Sequence, residues 1–119
     1  MLSKTYASAV HGINAQTITI EVNAGGTVAA GKMGYFIVGL PDNAVREGYQ
    51  RIEAAIKNTK MELPRVKLVM NLAPADIRKE GSAYDLPIAI GILASTHQVK
   101  PDLLDQYLLM GELSLDGTL

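Results

Sequence analysis

The stretch Thr17-Ile18-Thr19-Ile20-Glu21-Val22 (TITIEV) alternates polar and apolar residues without a break. Successive side chains of a β-strand point to opposite faces, so Ile18, Ile20 and Val22 would share one face of an extended chain. The pattern predicts a strand with one face buried and the other facing solvent. Such a strand needs neighbouring strands, and a second layer over its apolar face.

Segments on both sides of this stretch predict the rest of the sheet. Residues 6–15 precede it, with a turn expected at Gly12–Gln16, so the two runs should form a hairpin. Tyr35–Leu40 (YFIVGL) is apolar at almost every position and is predicted to be a central strand. Val66–Met70 and Tyr107–Leu113 are predicted as the fourth and fifth strands.

Two helices are expected between the later strands. The first should run from about Asn43 to Thr59, with Asp42 or Asn43 as its N-cap, because its apolar residues recur every three or four positions. The second, Leu86–Ser95, is apolar on nearly every face and is predicted to be buried. The predicted order is β-β-β-α-β-α-β, which indicates an α+β two-layer sandwich.

Length and composition predict one globular domain spanning residues 1–119. Hydrophobic residues make up 48% of the chain and charged residues 19%, which is typical of a folded protein. The net charge of −1 excludes a strongly basic protein that binds nucleic acid through its overall charge. The absence of cysteine excludes disulfide scaffolds, thiolate metal sites and cysteine nucleophiles. His11 and His97 lie far apart in sequence, and no metal site is predicted.

No targeting or membrane segment is predicted. The N-terminal residues have no apolar core of the kind that a signal peptide needs. The longest apolar stretch, Leu86–Ala94, has nine residues, far short of the roughly 20 that span a bilayer. We therefore expect a cytoplasmic protein without membrane contact.

A phosphate-loop pattern is present in part. Gly26, Gly31 and Lys32 fit G-x-x-x-x-G-K, but Met33 stands where a magnesium-binding Ser or Thr is needed. The pattern also leads into the predicted strand at Tyr35, whereas a phosphate loop must open a helix that supplies amides to the phosphates. We interpret this segment as a hairpin loop and predict no cofactor in this chain.

The residues before the second predicted helix could include a nucleophile. Ser82 beside Lys79 could act as a Ser–Lys hydrolase pair, with the helix amides stabilising an oxyanion. The commoner role of such residues is structural, with Ser82 or Asp85 capping the helix. We predict the cap and retain the hydrolase as the alternative.

Four cations flank the predicted fourth strand and its following loop. They are Arg65, Lys67, Arg78 and Lys79. No interleaved aromatic residues suggest base stacking, so a solvated face is the commoner interpretation. If the protein contacts DNA, Arg78 and Lys79 are the first candidates for phosphate contacts, followed by Lys67 and Arg65.

Four sequence motifs resemble a known family. The order and spacing of these motifs resemble the N-terminal domain of the magnesium-chelatase-like AAA+ ATPases, the ComM/YifB competence-protein group, and the resemblance covers nearly the whole chain. The motifs are Tyr35–Asp42 (YFIVGLPD), Asn71–Lys79 (NLAPADIRK), Glu80–Leu93 (EGSAYDLPIAIGIL) and Gly111–Gly117 (GELSLDG).

The resemblance implies a fold, a role and partners. It implies the ribosomal-protein-S5-domain-2-like fold, shared with the Lon protease domain. It implies that this chain is an excised N-terminal accessory domain, and that MgATP binds in a separate ATPase module. ComM-type members form rings that drive DNA branch migration in natural transformation. The implied partners are the protein's own ATPase module, ring neighbours and DNA.

The Lon-like relation bears on Ser82. Lon-type enzymes carry their nucleophile in a K-D-G-P-S-A motif, and Lys79–Ala83 (KEGSA) is similar to it. Ser82 then takes the position of the proline and Ala83 that of the nucleophile. The catalytic lysine of Lon-type enzymes corresponds to a position beyond Leu119. We therefore expect no enzymatic activity from these residues.

Overall fold

A computed structural model describes residues 1–26 and 34–119. They form an α+β domain with one four-stranded mixed sheet and two α-helices. The elements are β1 (Leu2–His11), β2 (Asn14–Ala24), β3 (Tyr35–Val38), α1 (Asn43–Asn58), β4 (Leu68–Ala73), α2 (Asp85–Ser95) and one turn of 3-10 helix (Leu104–Gln106).

The sheet has the strand order β1-β2-β4-β3. β2 lies inside the sheet and is antiparallel to both β1 and β4, whereas β3 is parallel to β4. The TITIEV stretch is the middle of β2, and Ile18, Ile20 and Val22 are all completely buried. The predicted half-buried strand is confirmed.

The β1–β2 hairpin turns more tightly than predicted. His11 pairs with Asn14, so only Gly12 and Ile13 form the loop, and residues 14–16 already belong to β2. Gly12 has φ +63°, which two-residue hairpin loops require and which glycine adopts without strain. The predicted turn over Gly12–Gln16 was therefore too long. A two-residue loop suffices because its backbone twist matches the twist of the two strands that it joins.

β3 is an edge strand, and the prediction of a central strand was wrong. Only Ile37 is buried, whereas Phe36 and Val38 remain 44% and 48% exposed. The strand also ends at Val38, before Gly39 and Leu40. Apolar side chains lie on both faces of β3, but the helices cover only the face that carries Ile37.

The fifth predicted strand, Tyr107–Leu113, is not a strand in the structure, so the β-β-β-α-β-α-β order is not observed. The segment is held by separate contacts instead. Leu109 N–H donates to the carbonyl of Tyr6 at 2.7 Å, while Gly111 exchanges hydrogen bonds with Ala83 and Leu86 at the start of α2. Its backbone groups are divided between β1 and α2, which prevents a continuous ladder.

Both helices pack on the face of the sheet that carries Ile18 and Ile20. Ser3 and Thr5 in β1 donate to carbonyls of α2, at Gly91 and Pro87, over 2.6 and 2.8 Å. α1 begins at Asn43, and its N-cap is Asp42, one of the two predicted caps, whose side chain accepts from Val45 N–H at 2.8 Å. In the two described ranges, neither helix is long and apolar enough to cross a membrane.

Candidate functional site

Two loops lie side by side at one end of the sheet. One follows β3 and contains residues 39–42, and the other follows β4 and contains residues 74–81. Because β3 and β4 are parallel, both loops leave the sheet at the same end of the strands. Lys79 N–H donates to the Leu40 carbonyl and Asp42 N–H donates to the Lys79 carbonyl, both at 3.0 Å. We call these residues the paired loops.

Lys79 lies inside the paired loops. The residue has no exposed surface, and its ammonium donates to the carbonyls of Gly39, at 2.6 Å, and of Pro74. Burial lowers the pKa of this amine, partly opposed by the charge of Asp76. The Lys79 ammonium holds the loops together and does not face solvent, so its assignment as a phosphate contact was wrong.

The loop after β3 is pressed against β4 and turns outwards. Gly39 has φ +102°, and a Cβ there would collide with the carbonyl oxygen of Leu72. Leu40 is a non-glycine residue at φ +58°, and its side chain is half-exposed. The backbone of Leu40 is therefore strained, and such a conformation persists only where surrounding contacts hold it in place. The second Asp42 oxygen supports it by accepting from Gly81 N–H at 3.2 Å.

Arg78 is the exposed member of the predicted Arg78–Lys79 pair. Its guanidinium lies 3.3 Å from Glu80, and both side chains are about two-thirds exposed, so this ion pair adds little stability. Arg78 lines two shallow depressions of about 290 and 250 Å³. One is shared with β1 residues and the other with Leu40 and Pro41.

Arg65 and Lys67 are exposed at the other end of β4. β4 spans six residues, so about 20 Å of strand separates them from Arg78. The Lys67 ammonium lies 5.2 Å from the centre of the Phe36 ring, within range of a cation–π contact. The structure therefore does not bring the four predicted cations into one patch.

Ser82 has neither of the roles considered for it. The N-cap of α2 is Tyr84, and no side chain of the described residues caps the helix, so the predicted cap by Ser82 or Asp85 was wrong. The Ser82 carbonyl accepts from Asp85 N–H at 3.2 Å. Among the described residues no hydrogen bond joins the Ser82 hydroxyl to Lys79, whose ammonium is bound to two carbonyls. The Ser–Lys pair is not assembled.

Asp85 forms a buried ion pair that was not predicted from the sequence. It is 1% exposed and accepts from Arg51 through both oxygens, at 2.7 and 3.1 Å. One oxygen also accepts from Leu113 N–H at 3.1 Å. The hydrogen bond to Asp85 raises the pKa of Arg51. An acidic residue at the start of a fully apolar helix is buried with that helix and therefore requires a partner. This feature of the sequence could have indicated the ion pair.

The partial phosphate-loop pattern falls mostly outside the described residues. Gly26 is described, whereas Gly31, Lys32 and Met33 are not. The element that follows is β3, the strand that the sequence predicted there. Within residues 1–26 and 34–119, no three side chains of the metal-binding types form a cluster.

Comparison with known proteins identifies the family. Residues 13–119 match the family model of subunit ChlI of Mg-chelatase. The uncharacterized protein YifB of Escherichia coli K12 is 46% identical over 118 residues, which is 99% of this chain and 22% of YifB. The competence protein ComM of Haemophilus influenzae is 42% identical with the same coverage, and a Mycobacterium bovis protein, Mb2921c, is 38% identical. The chain spans about a fifth of the length of these relatives, and it belongs to the family of the Mg-chelatase subunit ChlI.

Proposed function

We propose that this chain is a non-catalytic domain of a Mg-chelatase-like AAA+ ATPase that processes DNA. The observation that carries the proposal is the family match over residues 13–119, combined with coverage of only 22% of each relative. One relative is named a competence protein, which favours a role in DNA processing during transformation. ATP binding and hydrolysis then belong to the remainder of the full-length protein.

The use of the polar residues supports a non-catalytic role. Lys79 and Asp85 are the two completely buried charged side chains among the described residues. The hydrogen bonds of each hold different segments of the chain together. Asp42 caps α1 and also supports the paired loops. A catalytic group must reach a substrate, whereas these groups have their hydrogen-bonding capacity occupied by the fold itself.

The domain would act by presenting a surface to DNA or to ring neighbours. Arg78 is the first candidate for a phosphate contact, followed by Lys67 and Arg65, because their side chains are exposed. Contacts of this type give binding that is weak, insensitive to base sequence and reduced by added salt. The same proposal includes the expectation that this domain has the ribosomal-protein-S5-domain-2-like fold.

The test uses the full-length ATPase with both Arg65→Ala and Arg78→Ala. We expect weaker DNA binding and slower migration of a branched DNA substrate, with unchanged ATP hydrolysis in the absence of DNA. Lys100→Ala removes another exposed cation, in the loop after α2, and is the matched control. A second variant lacks residues 1–119. If it forms rings and remodels DNA at the normal rate, the proposed function is wrong.

A further inference from the structure

The face of the sheet opposite the helices carries exposed side chains. Along β1 the odd-numbered residues are mostly buried, and the even-numbered ones lie on this opposite face. In β3 the same alternation places Ile37 under the helices and places Phe36 and Val38 on the opposite face. We call the surface formed by the outward-pointing residues of the four strands the open face.

Two aromatic residues lie on the open face, on different edge strands. Phe36 belongs to β3 and is 44% exposed, and Tyr6 belongs to β1 and is partly exposed. The residues are 30 positions apart in the chain, so no aromatic pattern among the cations is visible in the sequence. The fold places these aromatic residues on one surface. Aromatic side chains on an uncovered sheet are platforms on which unpaired bases can stack.

Cations accompany both aromatic residues. The Lys67 ammonium lies 5.2 Å from the Phe36 ring centre, and Arg46 lines a depression of about 290 Å³ along the β3 edge together with Phe36. Lys4 lies on β1, two positions from Tyr6. Glu21 is the one acidic side chain among the described strand residues of this face, and it accepts from Asn71 at 2.9 Å. Among the strand residues Lys4 and Glu21 balance one another, so the positive charge that favours an anionic ligand comes from Lys67 and Arg46, which lie outside the strands.

The spacing of the aromatic residues suits an extended single strand. Through the strand pairings, Phe36 stands level with Leu2, three strands away, and Tyr6 lies four residues further along β1. Strands about 4.8 Å apart, with a rise of about 3.3 Å per residue, give a diagonal of roughly 20 Å between the backbone positions of the two residues. An extended single strand covers this distance in a few nucleotides.

We propose that the open face binds single-stranded nucleic acid, with bases stacking on Phe36 and Tyr6 and phosphates contacting Lys67, Lys4 and Arg46. This inference rests on the proposed function and specifies where the DNA would bind. In the free protein the Lys67 ammonium lies over the Phe36 ring. A base that stacks on this ring displaces the ammonium, which is then free to contact a phosphate. Stacking accepts every base, so binding is tolerant of sequence.

The test measures binding of a fluorescent oligothymidylate to the 119-residue protein by anisotropy at low salt. Phe36→Ala should weaken binding by about 5- to 150-fold, the effect of removing one stacked base. Phe36→Trp keeps a stacking surface and should restore affinity. Ile13→Ala, which changes a fully exposed residue at the hairpin tip, is the matched control and should bind normally.

Amide NMR spectra separate the open face from the paired loops. Shifts centred on Phe36, Tyr6 and Lys67 support the inference, whereas shifts confined to Arg78 and its neighbours overturn it and leave the proposed function standing. If oligothymidylate does not bind but Phe36→Ala prevents ring formation by the full-length protein, the open face is a protein interface and the inference is wrong. Equal affinity of Phe36→Ala and wild type also overturns it.

Discussion

Replacing Lys79 by methionine tests the interpretation of the paired loops. The substitution keeps the length of the buried side chain but removes the ammonium, leaving the carbonyls of Gly39 and Pro74 without this donor. Each hydrogen bond from a charged donor contributes about 1.5–3 kcal/mol to stability. The variant no longer buries a cation, and this gain offsets part of the loss of the two hydrogen bonds. We expect a net destabilisation of about 2–4 kcal/mol.

Urea unfolding of Lys79→Met and of wild type measures this free energy, with Arg78→Met as the control. Arg78 is adjacent and two-thirds exposed, so its replacement should change the free energy of unfolding by no more than about 0.5 kcal/mol. Amide exchange should also accelerate at Lys79 and Asp42, whose N–H groups bridge the loops. If both variants unfold at the same urea concentration, the Lys79 ammonium does not hold the loops together.

Three further substitutions test other features of the fold. Burial raises the pKa of Tyr49 from 10.0 to about 12. The unfolded chain therefore loses its phenol proton first, and stability should fall by roughly 3 kcal/mol as the pH rises from about 10 through 12. Tyr49→Phe should weaken this pH dependence in urea unfolding, and identical slopes for the two proteins would contradict it. Gly48→Ala places a Cβ against a carboxylate oxygen of Asp85, so thermal unfolding should show a loss of about 2 kcal/mol, and a higher Tm would refute the contact. Lys60 is exposed with φ +65° just after α1, so Lys60→Gly should raise the free energy of unfolding by about 0.5–1 kcal/mol, and a decrease would show that no strain is relieved.

Features governed by local pattern could be predicted from the sequence. The alternation in β2 places Ile18 and Ile20 under the helices whatever lies beside the strand. Asp42 caps α1 through a contact only three residues away. Both features depend on neighbours in the chain, and these are visible in the sequence itself.

Features that depend on distant partners could not be predicted in this way. The apolar composition of β3 is compatible with a central or an edge position, and the pairing with β4 alone decides between them. Residues 107–113 have strand-like composition, but their hydrogen bonds go to Tyr6 and to the start of α2. Lys79 resembles any surface lysine until Gly39 and Pro74 supply carbonyls from other positions along the chain.

The same limit applies to the candidate site. The sequence identified Arg78 as an exposed cation, but grouped it with Lys79, which is buried. It offered Asp85 as a helix cap, although Arg51, 34 residues earlier, is the partner of that carboxylate. Phe36 and Tyr6 come to lie on one face only when β1 and β3 become the two edges of one sheet.

The contacts of Asp85 have a mechanical consequence. Its carboxylate binds Arg51 of α1 and the backbone of Leu113, while Gly111 is bonded to residues at the start of α2. A tensile load applied at the C-terminal side of Leu113 would therefore reach both helices before it reached the hydrogen bond between Leu109 and Tyr6 of β1. The hydrogen bonds of Leu113 and Gly111 would have to break before the segment separated from β1.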